Sequence, residues 1–324
     1  MDDIDWVHRF DTVAPEALVA VEIALQCGSA MLGASDLGVE WKGAADPVTI
    51  VDRENEALAV AQLAAAFPTH LVIGEEASAE RGSIPVLTSA PTWIIDPIDG
   101  TTNFTHGAPL SCVSIGFVRD AVPIIGIVYD PNADELYVGV RGHGAFRNGV
   151  RIAADAIATT VPDSLVLVDP GYERSAAGVA KFTKCMAALL IANVQAVRIL
   201  GSAVLSICWV ASGRANAYFG GLHEKDCPKP WDWTAAYVIG TEAGVRFARL
   251  DARGYDRESV DAKADAIDAA AACVAKTDAQ TDSEAKSSDG AFDIYSKSCL
   301  CAGHPALLDE IAALVDAAVR GARV

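Results

Sequence analysis

Several things are scarce in this sequence, and each shortage excludes something. The eight cysteines include no Cys-x-x-Cys pair, so no paired-thiol motif of the metal-binding or redox kind is present. Cys299 and Cys301 sit in an apolar run, "SCLCAG", and Cys27, Cys185 and Cys208 lie in apolar, helix-like segments. They read as buried, reduced thiols. Positive charge is also short, with 25 Lys and Arg against 43 Asp and Glu, a net charge of -18 and a pI near 4.6. Such a surface repels phosphate backbones, which excludes nucleic acid as a general partner and leaves solubility as the ordinary use of the charge. No uncharged run reaches the roughly 18–20 residues needed to cross a bilayer. The opening "MDDIDWVHRF" is acidic, unlike a secretory signal. The expectation is a cytoplasmic protein with no membrane partner. No internal repeat is visible.

What remains is ample apolar material. Of 324 residues, 52% are hydrophobic, enough for one large domain or two smaller ones. Residues 14–35 read as a mostly apolar helix ended near Gly33, and "DRENEALAVAQLAAAF" as a helix from Asp52 to Phe67. "HLVIGEE" reads as a strand ending in two glutamates, and "TWIID" as a second strand ending in an aspartate. Three β-rich runs follow, "CVSIGFVRD", "AVPIIGIVYD" and "DELYVGVRG", then a glycine-rich segment with a hairpin-like Asn-Gly. Beyond about residue 155 strands and helices alternate. Strands are expected in "SLVLVD", "VQAVRIL" and "ANAYF", and helices over 172–193, 202–213 and 232–243. This predicts an N-terminal α+β part, 1–155, and a C-terminal α/β part, 156–324. Residues 251–290 interrupt the second part with ten acidic and five basic residues, many alanines and the tract "KTDAQTDSEAKSSDG". They read as a solvated acidic insertion. The strand "SCLCAG" and a closing helix over "HPALLDEIAALVDAAVR" complete the chain.

The chemistry gathers at strand ends, where layered α/β folds build their sites. Glu75 and Glu76 follow "LVIG", and Asp96 follows "TWII". Pro97 removes a backbone donor and helps end that strand. The turn beyond it lets Asp96 and Asp99 point to one side. Clustered carboxylates repel, and keeping them ionised together needs a cation. Oxygen donors without His or Cys select a hard ion such as magnesium. Gly100 permits a close backbone approach, and Thr101, Thr102 and Asn103 can open a helix whose first amides suit an anion. The same spacing also occurs in ordinary capped turns.

"WIIDPIDGTTNF", with "GEE" upstream and "WDWTAAYVI" downstream, resembles the inositol monophosphatase family of magnesium-dependent, lithium-sensitive phosphatases. "KGAADPVTIVDREN", "GIVYDPNADELYVGVRGHGAFRNGVRI" and "RILGSAVLSICWVASGRANAYF" extend the likeness to nearly the whole chain outside 251–290. The resemblance implies a layered αβαβα sandwich of the inositol monophosphatase and fructose-1,6-bisphosphatase type, commonly a homodimer. It implies hydrolysis of a small phosphate monoester, inositol 1-phosphate first, by a metal-activated water and two to three Mg2+ ions. Glu75, Asp96 and the Ile98 carbonyl resemble the ligands of the first ion, and Asp96, Asp99 and Asp232 those of the second. Glu75 would also touch a third, weaker ion. Asp52 and Thr101 resemble the pair that activates the water. The amides of Gly100 and Thr101 would hold phosphate, and Gly201, Ser202 and Ala203 resemble the substrate-side turn, with Asp99 and Asp232 also facing substrate.

Some positions stay open. Lys42 stands near where the family places a lysine by the metals. Glu76 reads equally as support for the site or as a salt-bridge partner, and His106 as a surface or packing residue. Many relatives read the alcohol with a glutamate shortly before Trp-Asp. Here Glu224 and Asp226 lie near that place, with Lys225, Pro228 and Pro230 disturbing the register. Related branches act on histidinol phosphate, fructose 1,6-bisphosphate or 3′-phosphoadenosine 5′-phosphate. Thr102 favours the inositol branch, since the nucleotide and histidinol branches often carry lysine there. A catalytically silent, partner-binding member would have lost a ligand or the water-activating pair, and all of those residues are present.

Overall fold

The computed structural model describes residues 4–12, 14–43, 46–222, 228–250 and 298–320. The insertion at 251–290, Glu224 and Asp226 lie outside the described residues. After a 3-10 turn, Asp5–Phe10, come α1 (Glu16–Gly33), a short hairpin β1 (Glu40–Trp41) and β2 (Pro47–Val48), and α2 (Ile50–Ala66). Next are β3 (Leu71–Gly74), α3 (Glu75–Arg81), β4 (Thr92–Asp99) and α4 (Thr101–Thr105). Strands β5 (Cys112–Arg119), β6 (Val122–Asp130), β7 (Glu135–Val140), β8 (Gly144–Arg147) and β9 (Val150–Arg151) finish a seven-stranded sheet in the order β3 to β9. All its pairings are antiparallel except β3 with β4.

A second sheet holds β10 (Leu165–Val168), β11 (Ala196–Arg198), β12 (Ala217–Gly220), β13 (Arg246–Ala248) and β14 (Cys299–Ala302), in the order β11-β10-β12-β14-β13. Its helices are α5 (Ala176–Ile191), α6 (Ala203–Ala211), α7 (Thr234–Glu242) and α8 (Pro305–Arg320). Helices α1 and α2 cover one face of the large sheet, α6 and α7 lie between the two sheets, and α5 and α8 close the far side. This is the αβαβα sandwich.

Side-chain alternation builds the layers. On β5, β6 and β7, Val113, Ile115, Phe117, Ile125, Ile127, Leu136 and Val138 face the α1–α2 layer. In the small sheet Leu167, Tyr218, Cys299 and Cys301 face the middle layer, while Val166, Val168, Phe219 and Leu300 face α5 and α8. Successive side chains point to opposite faces, so strands buried on both faces are apolar nearly throughout. The cysteines of the described residues are free and buried. Helix α1 has the length and composition to cross a membrane. It is instead a core helix, burying Ala17, Ala20, Val21, Ile23 and Ala24.

A stripe of glycines seats α7. Gly116, Gly126 and Gly139 are direct partners across β5, β6 and β7. A Cβ on Gly126 would stand 2.1 Å from the Ala235 carbonyl oxygen, and one on Gly139 2.7 Å from the Ile239 Cα. The helix backbone rests on the sheet where no side chain intervenes. Helix α7 begins just past Asp232, so this contact also places that carboxylate against the end of β4.

Three local expectations differ from the structure. Helix α2 starts at Ile50, because Thr49 caps it in a reciprocal box with Asp52. "HLVIGEE" stops being a strand at Gly74, and Glu75 opens α3. Strand β4 runs through Pro97 to Asp99, with its register shifting between Asp96 and Asp99. The irregularity accommodates the missing proline donor and turns both aspartates toward the site.

Candidate active site

One oxygen from each of Asp96, Asp99 and Asp232 lies within 4.8 Å of the others. Asp96 and Asp99 come from the bulged end of β4, Asp232 from the 3-10 turn Pro230–Asp232 before α7. They open into a cleft of about 730 Å3 that also takes in Glu75, Gly100 and Thr101, a size suited to a small molecule. Each aspartate is aimed by backbone. Asp96 Oδ1 accepts from the Ile98 N–H at 3.0 Å, and Asp232 Oδ2 from the Lys229 N–H at 2.6 Å. Asp99 Oδ2 accepts from the Val204 N–H at 2.9 Å and from the Ser202 hydroxyl.

Burial pushes the Asp99 carboxyl up to about 6, against the opposing pull of Ser202 and Val204. Asp96 and Asp232 are raised well above the usual carboxylate range, by burial first and then by the other carboxylates around them. Glu75 is pushed up to about 7 by burial, although Lys42 draws it back. The Lys42 ammonium lies 2.9 Å from Glu75 Oε1 and 2.6 Å from Glu76 Oε1. Burial disfavours its charge, but the two glutamates outweigh that and hold it protonated. Without a cation, these acids favour sharing protons over ionising together. A hard divalent ion reverses that preference, and an all-oxygen donor set matches one. The residues therefore fit a metal, with Glu75, Asp96, the Ile98 carbonyl, Asp99 and Asp232 as the available donors.

Beside the cluster, the Thr101 hydroxyl lies 3.2 Å from Asp52 Oδ1 and 2.9 Å from the Ile98 carbonyl. Asp52 Oδ2 is already taken by the Thr49 N–H at 2.8 Å and the Thr49 hydroxyl at 2.5 Å. Oδ1 is thus the oxygen left to face Thr101. Burial lifts the Asp52 carboxyl to about 6. Thr101 does not cap α4, because the N-cap is Gly100, at φ +90. A Cβ there would meet the Leu110 carbonyl oxygen at 2.8 Å, so both conformation and space demand glycine.

Gly201 and Ala203 line the cleft. Ser202 between them is buried, and its hydroxyl both serves Asp99 and accepts the Leu205 N–H as the cap of α6. Asn103 pins this turn to α4 by donating to the carbonyls of Leu110 and Leu200 at 2.8 and 2.7 Å. His106 sits at the exposed end of α4, 2.8 Å from the Thr102 carbonyl. Glu76 is buried and paired with Lys42. Sequence reasoning missed Asp46, Asp169, Tyr172 and Lys229, which also line the cleft. Loops from three parts of the chain bring them together, and apart from Asp46, which stands in the quoted motif "KGAADPVTIVDREN", their positions carry no local pattern. It also missed Thr49, although Thr49 followed three residues later by Asp52 is a readable capping signal.

Comparison with known proteins agrees with this geometry. The sequence profile of the inositol monophosphatase family matches residues 12–319. The chain is 43% identical over 230 residues to inositol monophosphatase 2 of Rattus norvegicus, covering 70% of this chain and 77% of the relative. It is 42% identical over 210 residues to inositol monophosphatase 1 of Solanum lycopersicum, covering 64% of this chain and 73% of the relative. Among solved structures, an IMPase from Thermotoga maritima superposes with a TM-score of 0.71 at 23% identity, covering 95% of this chain and 100% of the other. Inositol monophosphatase from Anabaena superposes with a TM-score of 0.67 at 24% identity, covering 94% and 96%. With the sandwich, the carboxylate cluster and the profile match in agreement along its length, this chain belongs to the inositol monophosphatase family of phosphoric monoester hydrolases.

Proposed function

We propose that the chain hydrolyses inositol 1-phosphate to inositol and phosphate in this cleft, with magnesium as the metal. The observation that carries the reading is the convergence of Asp96, Asp99 and Asp232 beside the hydrogen-bonded pair Asp52 and Thr101. The inositol monophosphatases among the chain's relatives support the substrate.

In this reading Glu75, Asp96 and the Ile98 carbonyl would hold one ion, Asp96, Asp99 and Asp232 a second, and Glu75 would touch a third. When bound, the ions neutralise charge on the ester oxygens and make water acidic enough to attack phosphorus. The Thr101 hydroxyl takes the proton of the attacking water while handing its own to Asp52 Oδ1. Thr49 keeps the other Asp52 oxygen occupied, so the carboxyl cannot rotate away. The amides of Gly100 and Thr101 hold the phosphate, and Gly201 and Ala203 shape the alcohol side together with Asp99 and Asp232. Ser202 contributes to substrate only through its backbone, because its hydroxyl is engaged with Asp99. The family resemblance further supports a cytoplasmic homodimer whose turnover lithium inhibits.

The test is phosphate release with magnesium on four esters, namely inositol 1-phosphate, histidinol phosphate, fructose 1,6-bisphosphate and 3′-phosphoadenosine 5′-phosphate. Fastest turnover of inositol 1-phosphate, lost in chelator and inhibited by lithium, is expected. Preference for another ester would overturn the substrate, and full activity in chelator would overturn the metal.

A further inference from the structure

Glu56 lies on the inner face of α2 and is 5% exposed. Nothing in the reading above uses it. Both of its carboxylate oxygens are engaged with another element. Oε2 accepts the Glu76 N–H and Oε1 the Ala77 N–H, each at 2.8 Å. These are the second and third residues of α3, whose first residue is Glu75. The residue at the N-cap position of α3 is Gly74, which has no side chain to cap with. The first amides of a helix need acceptors, and here they come from a carboxylate some twenty residues upstream.

The chain has made room for this contact. A Cβ on Gly74 would stand 2.4 Å from the Glu56 carboxyl carbon and 2.5 and 2.6 Å from its oxygens. Gly74 has φ -108 and ψ 157, an extended conformation open to any residue. Its need for glycine is therefore steric, and the obstacle is Glu56. Lys42 steadies the Glu75 side chain from the cleft side. The backbone from which that side chain springs is set by α3, and Glu56 holds the start of α3.

We propose that Glu56 is a positioning residue for the metal site, fixing Glu75 by capping α3 from α2. The proposal rests on Glu75 being a metal donor, as proposed above. A carboxylate can accept both amides, whereas a glutamine can accept one and must present its NH2 to the other.

The test measures magnesium affinity of the purified full chain by calorimetry, without substrate, for Glu75→Gln, Glu56→Gln, Glu56→Ala, Gly74→Ala and the double variant Gly74→Ala with Glu56→Ala. Circular dichroism and a melt in chelator accompany each. Glu56→Gln should keep the wild-type spectrum but bind magnesium about tenfold or more weakly, as loss of an outer partner of a metal ligand does. Gly74→Ala should reproduce the defect by displacing the carboxylate. Placed on Glu56→Ala, it should add nothing, because the obstacle has gone. Should Glu56→Gln fail to fold, Gly74→Ala carries the test alone. A cap that serves only stability lowers the melting temperature and leaves magnesium affinity at the wild-type value. That outcome, with affinity lost in Glu75→Gln, overturns the positioning role and spares the metal site. Wild-type affinity in Glu75→Gln instead overturns Glu75 as a donor, and the proposal with it.

Discussion

The Thr101 hydroxyl stands 3.2 Å from Asp52 Oδ1, across 49 residues of sequence. Asp52 uses its other oxygen to close the capping box of α2. One carboxylate thus serves a helix start with one atom and the site with the other.

That division predicts a separable pair of defects. Thr101→Ala should lower turnover roughly a hundredfold or more through loss of a proton-transferring group, with stability little changed. Asp52→Ala should lower turnover similarly and also cost about 1 kcal/mol of stability, because the box is broken. The double variant should turn over little more slowly than either single one, since residues acting as a unit are not additive. Steady-state kinetics and denaturant unfolding check this, and strictly multiplicative rate losses would separate the two residues.

Asp99→Asn should keep the fold and lose several hundredfold or more in turnover, on the order of the several kcal/mol that metal charge stabilisation supplies. Ser202→Ala should act more mildly on the same carboxylate, weakening magnesium by about tenfold. It should also cost about 1 kcal/mol through the lost cap of α6. Ser202→Thr retains a hydroxyl and should restore both. Magnesium titrations of activity, with unfolding curves, decide it.

Stability should depend on pH with an unusual sign. Asp52 and Asp99 are lifted to about 6 and Glu75 to about 7, all above their ordinary values. Between those values and the unfolded ones, the folded protein holds protons that the unfolded chain has released. The contribution of these groups is therefore full below about pH 4 and is lost as pH rises through 6 to 7. In the proposed reading magnesium replaces the protons, so it should raise the melting temperature more at pH 8 than at pH 5. Melts in chelator and in magnesium at both pH values check this, and an equal gain at both would contradict it.

The glycine stripe under α7 should tolerate nothing larger. Gly126→Ala puts a methyl group 2.1 Å from the Ala235 carbonyl oxygen and should cost about 1–3 kcal/mol by overpacking. Because α7 follows Asp232 directly, the surviving folded protein should also bind magnesium more weakly. Unfolding curves with magnesium titrations measure both, and wild-type affinity would show that Asp232 is placed independently of α7.

Much of this protein is legible along the chain because its signals are local. The strands from Cys112 to Val140 declare themselves as β-rich runs separated by turns, and α1, α5 and α8 by apolar runs of helical length. The turn at Gly100 and the acids around it are written in twelve consecutive residues, and family likeness then attaches chemistry to them. Even Thr49 was readable, since its partner is three residues away. Other features depend on chain closure, which no local window contains. Ser202 reaches Asp99 across 103 residues and Glu56 reaches α3 across 20. Gly116, Gly126 and Gly139 form a stripe only once three strands pair. Residue types and short-range spacing determined which elements form and which groups carry charge. Only the tertiary structure decided which carboxylates lie together and which backbone and side-chain groups hold them, because burial and distance in three dimensions set the energy of a charge.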